Sequence, residues 1–226
     1  MTRLGDLTTS DVTTSYLTTS DLASRSLTVL IPVGSCEQHG PHLPLNTDAR
    51  VAEAVAVAAA AGRFGVVIAP TLPYSASDEH AGFPGLLSLG ADGTHAALHA
   101  LVRSAREWAT HVVIVNGHGG NSSALRRLEG EASLWSPRYR GDAHAGHSET
   151  SLMLAIDPAA VRLDRLAVGT TDPVAMLMPM MRTGGVRAVS TSGVLGDPTT
   201  ATAAAGAQLL EALVTDLRAL LDALPG

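Results

Sequence analysis

One change of character along the chain narrows its possible folds more than any other. An apolar run, Leu27-Thr28-Val29-Leu30-Ile31-Pro32-Val33, breaks into Gly34-Ser35-Cys36-Glu37-Gln38-His39-Gly40-Pro41-His42-Leu43-Pro44-Leu45-Asn46-Thr47-Asp48. An alanine-rich stretch almost without polar side chains then follows over 49–61. The first run reads as a short buried strand and the last as a helix. In α/β sheets the segment between strand end and helix start is where chemistry collects. If the strand persists to Glu37 and His39, its two-residue period points both side chains the same way. Gly40, Pro41 and Pro44 then force a turning loop, and Asp48 stands where the helix begins. One acid, one imidazole and a second acid thus converge on one rim, as a divalent metal site requires. Asp48 or Thr47 could equally cap the helix, and these residues alone leave both readings open.

The same strand–loop–helix grammar recurs. Residues 65–70 read as a second strand, followed by a loop crowded with polar and breaker residues from Tyr74 to Gly85. Leu98, Leu101, Val102, Ala105 and Trp108 follow helical spacing and predict an amphipathic helix over 91–108. His95 and His99 lie on it at i, i+4, but with no Glu between them and no third ligand nearby they read as surface or packing. His111-Val112-Val113-Ile114-Val115-Asn116 predicts a strand that runs into Gly117-His118-Gly119-Gly120-Asn121. A helix over 122–135 is expected next, with Asn121 as its cap. The glycine spacing matches neither dinucleotide nor P-loop fingerprints, and a tight turn presenting His118 fits better. Asp142-Ala143-His144-Ala145-Gly146-His147-Ser148-Glu149 opens a further helix over 151–156. A Met-rich helix over 172–181 and a terminal helix over 200–224 complete the pattern, and the near-repeat over 7–20 reads as a weakly helical lead-in. The alternation predicts one domain, 1–226, of three-layer α/β/α architecture with a mainly parallel central sheet.

Composition removes several function classes. All fifteen basic residues are arginine, which excludes a Walker A lysine and a Schiff-base lysine. The net charge of −6 and the lack of a basic cluster argue against nucleic-acid binding, and Arg126-Arg127 reads as a solvated helix face. One cysteine rules out an internal disulfide and a Cys-rich zinc site. The longest apolar run, 54–61, is far short of the ~20 residues of a membrane span. The opening residues lack the regions of a signal peptide, so a cytoplasmic protein is expected.

Glu37, His39 and Asp48, then His118, then His144 and Glu149, stand at strand ends or helix starts that a parallel sheet brings to one rim. Two imidazoles and three carboxylates suffice for two divalent ions sharing one bridging carboxylate. Four stretches carry a resemblance to a known family: residues 34–48, Glu79-His80-x-x-Phe83-Pro84-Gly85, Asn116-Gly117-His118-Gly119-Gly120-Asn121, and His144-Ala145-Gly146-x-x-Glu149-Thr150-Ser151. Together they resemble the signature motifs of the creatininase family, in order over roughly 27–156. The tail from Gly185 to Thr199 and the Asp142–Ser151 variant are most similar to the branch associated with mycofactocin biosynthesis. Members of that branch act as peptidases on a modified precursor peptide, releasing its C-terminal Val-Tyr-derived unit.

The resemblance implies a metal-dependent amide hydrolase in which Asp48 bridges two divalent ions, Glu37 and His118 complete one site, and His39 and Glu149 the other. Creatininase itself carries a liganding Glu two residues after the His of Asn-Gly-His. Gly120 stands there in this chain, which argues against creatinine hydrolysis and makes Glu149 the replacement. Iron, zinc or manganese suit the mixed N/O ligand set. His144 is expected to shuttle the proton, Ser77 and His80 to hold substrate, and His42 to be structural. Cys36, Leu86 and His147 depart from the family's usual residues. The resemblance also implies a homo-oligomer, commonly a hexamer. Alternatives are an amidohydrolase acting on a small cyclic or linear amide, a non-catalytic metal-binding scaffold of a biosynthetic complex, and a cysteine hydrolase pairing Cys36 with His39. The last leaves Asp48, His118 and Glu149 without a role.

Overall fold

A computed structural model describes residues 2–6, 27–138 and 142–225. The near-repeat over 7–20 lies outside the described residues. Five parallel strands form one sheet in the order β1 (Thr2–Arg3), β3 (Val66–Ile68), β2 (Thr28–Val33), β4 (His111–Asn116) and β5 (Ser133–Trp135). β2 and β4 pair along their full length, Thr28 opposite His111 through Val33 opposite Asn116. Every residue of β2 is buried, as expected for a strand covered on both faces.

The two faces separate by the strand period. Leu30, Ile68, Val113 and Val115 point to one side. There they meet α1 (Thr47–Ala60), α4 (His147–Ile156) and α6 (Ala203–Asp222) through Val51, Val55, Leu152, Met153, Leu213 and Leu217. Val29, Ile31, Val33, Val67, Val112 and Ile114 point to the other. They pack on Leu98, Val102 and Ala105 of α2 (Gly90–Ala105) and on Leu125 of α3 (Ser122–Arg126). This is the expected three-layer α/β/α arrangement. Among the described residues no helix is long and apolar enough to cross a membrane.

Several boundaries differ from the sequence reading. The helix expected over 122–135 is only α3, and Trp135 belongs to edge strand β5. Gly130 adopts a positive φ of 83°, which turns the chain so that β5 pairs with β4. There Trp135 is buried and its Nε1–H donates to Asp216 at 2.8 Å. α4 begins four residues earlier than expected because Asp142 caps it from outside, accepting from the Ser148 N–H at 3.0 Å and hydroxyl at 2.6 Å. On α2, Leu98 and Val102 are buried and Leu101 is substantially exposed, as is Trp108, which lies beyond the end of the helix at Ala105. The Met-rich helix is α5 (Val174–Gly184).

What positions the site is the approach of α1 to the strand ends. A Cβ at Gly34, just after β2, would collide with the Ala49 backbone, and one at Gly117, just after β4, with the Asp48 carbonyl. Only glycine lets the first turn of α1 sit between the two strand ends. Overpacking of this kind costs about 1–3 kcal/mol, so Gly117→Ala should lower the melting temperature by about 2–12 °C in a chain of this size. Gly119→Ala is the control: nothing lies within 4 Å of a Cβ there. Calorimetry should find its melting temperature within roughly 1–2 °C of the parent.

Candidate metal centre

Asp48 lies in the first turn of α1, but helix capping is not its task. The preceding Asn46 makes no side-chain cap bond, and the buried Asp48 carboxylate is instead surrounded. Its Oδ2 accepts from the Ser35 hydroxyl at 2.8 Å and lies 2.9 Å from His118 Nδ1, while its Oδ1 lies 3.0 Å from His39 Nε2. β2 ends at Val33, so Glu37 and His39 converge from the loop and not from a continued strand. The loop is held by the Glu37 N–H on Leu45 O at 3.1 Å and a bridge between His39 and Leu43. Glu149 comes from the first turn of α4. There Ala145, the only non-glycine with positive φ among the described residues (51°), donates its N–H to Glu149 Oε2 at 2.6 Å.

Two groups of potential ligand atoms result, Glu37–Asp48–His118 and His39–Asp48–Glu149, each with all atoms within 4.8 Å of one another. Asp48 is common to both. A third such group contains Glu37, His39 and His144. All six residues are therefore brought together, from three segments far apart in sequence.

Three imidazoles share one mode of support. His39 Nδ1–H donates to Glu37 O at 3.3 Å, His118 Nε2–H to Ala76 O at 2.8 Å, and His144 Nε2–H to Gln38 O at 2.8 Å. These partners assign the tautomers and turn the other nitrogen of each ring toward the carboxylates. His144 Nδ1 lies 3.9 Å from both Glu37 Oε1 and Glu149 Oε2. A histidine whose second N–H is anchored on a carbonyl is the usual arrangement around a metal ion.

Whether a cation fits is tested by Glu37. The residue is fully buried, and neither carboxylate oxygen has a hydrogen-bond partner. His80 Nε2 and His118 Nε2 lie 3.0 and 3.1 Å away, but off the line a hydrogen bond needs. A buried carboxylate without donors is costly, and a divalent cation is the partner that this donor set lacks. The electrostatics agree. Burial pushes the Glu37 carboxyl up, but His118, His80 and His39 bring it down to about 2. Burial likewise opposes charge on His39, yet Asp48, Glu149 and Glu37 raise it to about 9. His118, despite its burial, is held well above the ordinary histidine value by Glu37 and Asp48. Burial raises Glu149 to about 7, against the pull of His39. The carboxylates thus draw positive charge to themselves. Protons on the imidazoles supply it, and divalent ions compete for the same nitrogens. His144 differs: burial and neighbouring His39 bring it down to about 3, so the ring is neutral.

The other sequence-predicted residues take these places. His80 lines the cavity in front of the cluster, with Nδ1 on the Gln38 amide at 3.0 Å and Nε2 toward Glu37. Ser77 is fully buried behind His118, its hydroxyl 3.4 Å from Nε2. His42 is buried and bonds Thr150 at 2.9 Å. Asn121 holds the N-cap position of α3 as expected, but its side chain makes no capping bond; it receives the Ala76 N–H at 3.1 Å and donates to Asn116 at 2.8 Å. His147 bonds Thr200, and His99 pairs with Glu131. The Cys36 thiol faces Gly85 O at 3.6 Å, while both nitrogens of His39 are engaged elsewhere, so no thiol–imidazole pair exists. Gln38, which sequence reasoning passed over, proves central. Its amide nitrogen lies within 3.2 Å of His80, His144 and Gly193 O, and its oxygen accepts from the Gly40 N–H at 2.7 Å. Its place between Glu37 and His39 was the available signal.

The cavity measures about 900 Å³. It is lined by Glu37, Asp48, His118, His144 and Glu149 and also by apolar Val174, Met178, Met181 and Leu195.

Comparison with known proteins places this geometry. The sequence matches the family described as Creatininase: Creatinine amidohydrolase over residues 13–221. It is 50% identical over 200 residues to a mycofactocin precursor peptide peptidase of Mycolicibacterium smegmatis, covering 82% of this chain and 81% of that one. It is 30% identical over 185 residues to a creatinine amidohydrolase of Pseudomonas putida, covering 64% and 70%. The fold superposes on the solved structure of a manganese form of creatininase with a TM-score of 0.73 at 26% identity, covering 92% of this chain and 96% of that one. A Zn–Zn form of a creatininase variant gives a TM-score of 0.72 at 26% identity, with the same coverage. With a family match spanning nearly its whole length, this chain belongs to the creatininase family.

Proposed function

We propose that this protein is a dinuclear metallopeptidase that cleaves a modified mycofactocin precursor peptide and releases its C-terminal Val-Tyr-derived unit. The observation that carries the reading is the pair of ligand groups sharing Asp48, with both oxygens of buried Glu37 lacking donors. The 50% identity to a named mycofactocin precursor peptide peptidase supports the substrate. A cavity of about 900 Å³ also suits a peptide segment better than a small cyclic amide.

Glu37, Asp48 and His118 would hold one ion, and His39, Asp48 and Glu149 the other. Zinc, iron and manganese all suit such ligands. Two divalent ions, when bound, bring the pKa of a shared water toward ~7 and polarise an amide carbonyl. The remaining work falls to the chain. The Ser35 hydroxyl and the two flanking imidazoles orient Asp48. The carbonyls of Glu37, Ala76 and Gln38 keep the three rings from rotating. His144, neutral and with Nδ1 unprotonated, is the group able to accept a proton in the cavity and return it to the leaving amine. Its Nε2–H anchor on Gln38 O keeps that nitrogen aimed at the cluster through both transfers. Gln38 and His80 hold the Glu37 carboxylate side of the wall, and Ser77 backs His118. The outward side chains Met176 and Met180, 71% and 53% exposed, support association of α5 with further copies of the chain in a homo-oligomer, a hexamer by family resemblance.

Elemental analysis of purified protein should find about two divalent ions per chain. Chelation should abolish cleavage of the modified peptide, and zinc, iron or manganese should restore it. Glu37→Ala should lose bound metal, whereas His144→Ala should retain both ions and lose ~10²–10⁴-fold in kcat. Metal retained in the first variant, or lost in the second, would reverse these assignments. Because His39 titrates near 9 and must shed its proton to bind an ion, metal affinity should strengthen as pH rises from 6 to about 9. Calorimetry in buffers of different ionisation enthalpy measures the released protons.

A further inference from the structure

We propose that α5 provides an apolar subsite, built on Met178, Met181 and Leu195, that receives the aromatic or branched apolar side chain of the leaving unit. The inference rests on the peptidase reading above and names what that activity selects. Along α5, Val174, Met178 and Met181 follow the i, i+4, i+7 spacing that places residues on one helix face. All three line the cavity. The outer face carries exposed Met176 and Met180, and Leu177 anchors the helix to Val186 and Leu195 in a small core of its own. The apolar wall thus belongs to a unit separate from the two cores that fix the metal cluster.

This wall is continuous with the proton-carrying group. Leu195 and His144 pair as a two-residue antiparallel bridge, Leu195 N–H on His144 O at 2.9 Å and His144 N–H on Leu195 O at 3.3 Å. A leaving amine must lie beside His144 to be protonated, so the residue bearing that amine rests against Leu195 and the methionines. The same cavity is lined by the carboxylates of Glu37, Asp48, Asp78, Glu79 and Glu149. That surface attracts an amine and repels an acidic side chain. Methionine thioethers are deformable and pack against branched apolar groups and aromatic rings alike, so the lining accepts either kind of side chain. Arg182, also on the cavity wall, would be the determinant if acidic leaving units were preferred.

The test compares two peptides that differ only in the first residue after the scissile bond, valine or alanine. The parent enzyme should prefer valine by at least tenfold in kcat/KM. Met178→Ala combined with Met181→Ala should remove most of that preference while leaving metal content unchanged. An unchanged ratio in the double variant, or a preference for aspartate, overturns the proposal. A readout independent of turnover uses protein labelled with ¹³C at the methionine methyls and the released Val-Tyr-derived unit at roughly millimolar concentration. The Met178 and Met181 signals should shift, and that of Met153, buried in the main core, should not. Shifts confined to Met176 and Met180 overturn the subsite, as does the absence of any shift. Shifts at Met178 and Met181 without hydrolysis of any peptide would leave the subsite standing and remove the peptidase reading. Hydrolysis without selectivity would do the reverse.

Discussion

Negative charge buried at the rim of the sheet is the condition that the rest of this molecule satisfies. Glu37, Asp48 and Glu149 are enclosed together, and enclosing carboxylates is costly unless opposite charge and donors accompany them. The solution is spread over the whole chain. Two glycines admit the first turn of α1 between β2 and β4, which drops Asp48 between His39 and His118. A strained turn at Ala145 brings Glu149 from α4. Removing any of these backbone features would leave the same side chains with no common point.

The order of layers was legible because β2 and β4 are apolar on both faces, a pattern no surface element produces. Most of the cluster was legible for a related reason, since Glu37, His39, Asp48, His118, His144 and Glu149 all stand where strands end or helices begin. The errors have physical causes. β5 is three residues long, too short to display its period, and the turn at Gly130 that creates it falls inside the stretch expected to be helical. The start of α4 depends on Asp142 capping from six residues upstream of Ser148, a contact that local spacing does not encode. Ser77, expected to hold substrate, is fully buried with its hydroxyl 3.4 Å from His118 Nε2, a placement that only tertiary packing sets. Gln38 was overlooked because an amide between two ligand-type residues carries no charge or metal affinity of its own.

Two kinds of construction meet in the cavity. The charged wall is fixed by the sheet and by α1 and α4, whose packing is that of the main core. The apolar wall is held by Leu177, Val186 and Leu195 in a separate cluster with Phe83, Met181 and Val189 against it. The carboxylate–histidine cluster and the apolar lining are therefore supported by different cores, joined where Leu195 pairs with His144.

The anchoring of His39, His118 and His144 on main-chain oxygens has a consequence for how such a protein can diverge. Those acceptors have no side chain to be altered, so the orientation of all three rings is inherited with the path of the backbone. Substitutions accumulating on α5 can redraw what enters the cavity without disturbing how the rings point. A scaffold wired in this way can change its diet while keeping its teeth.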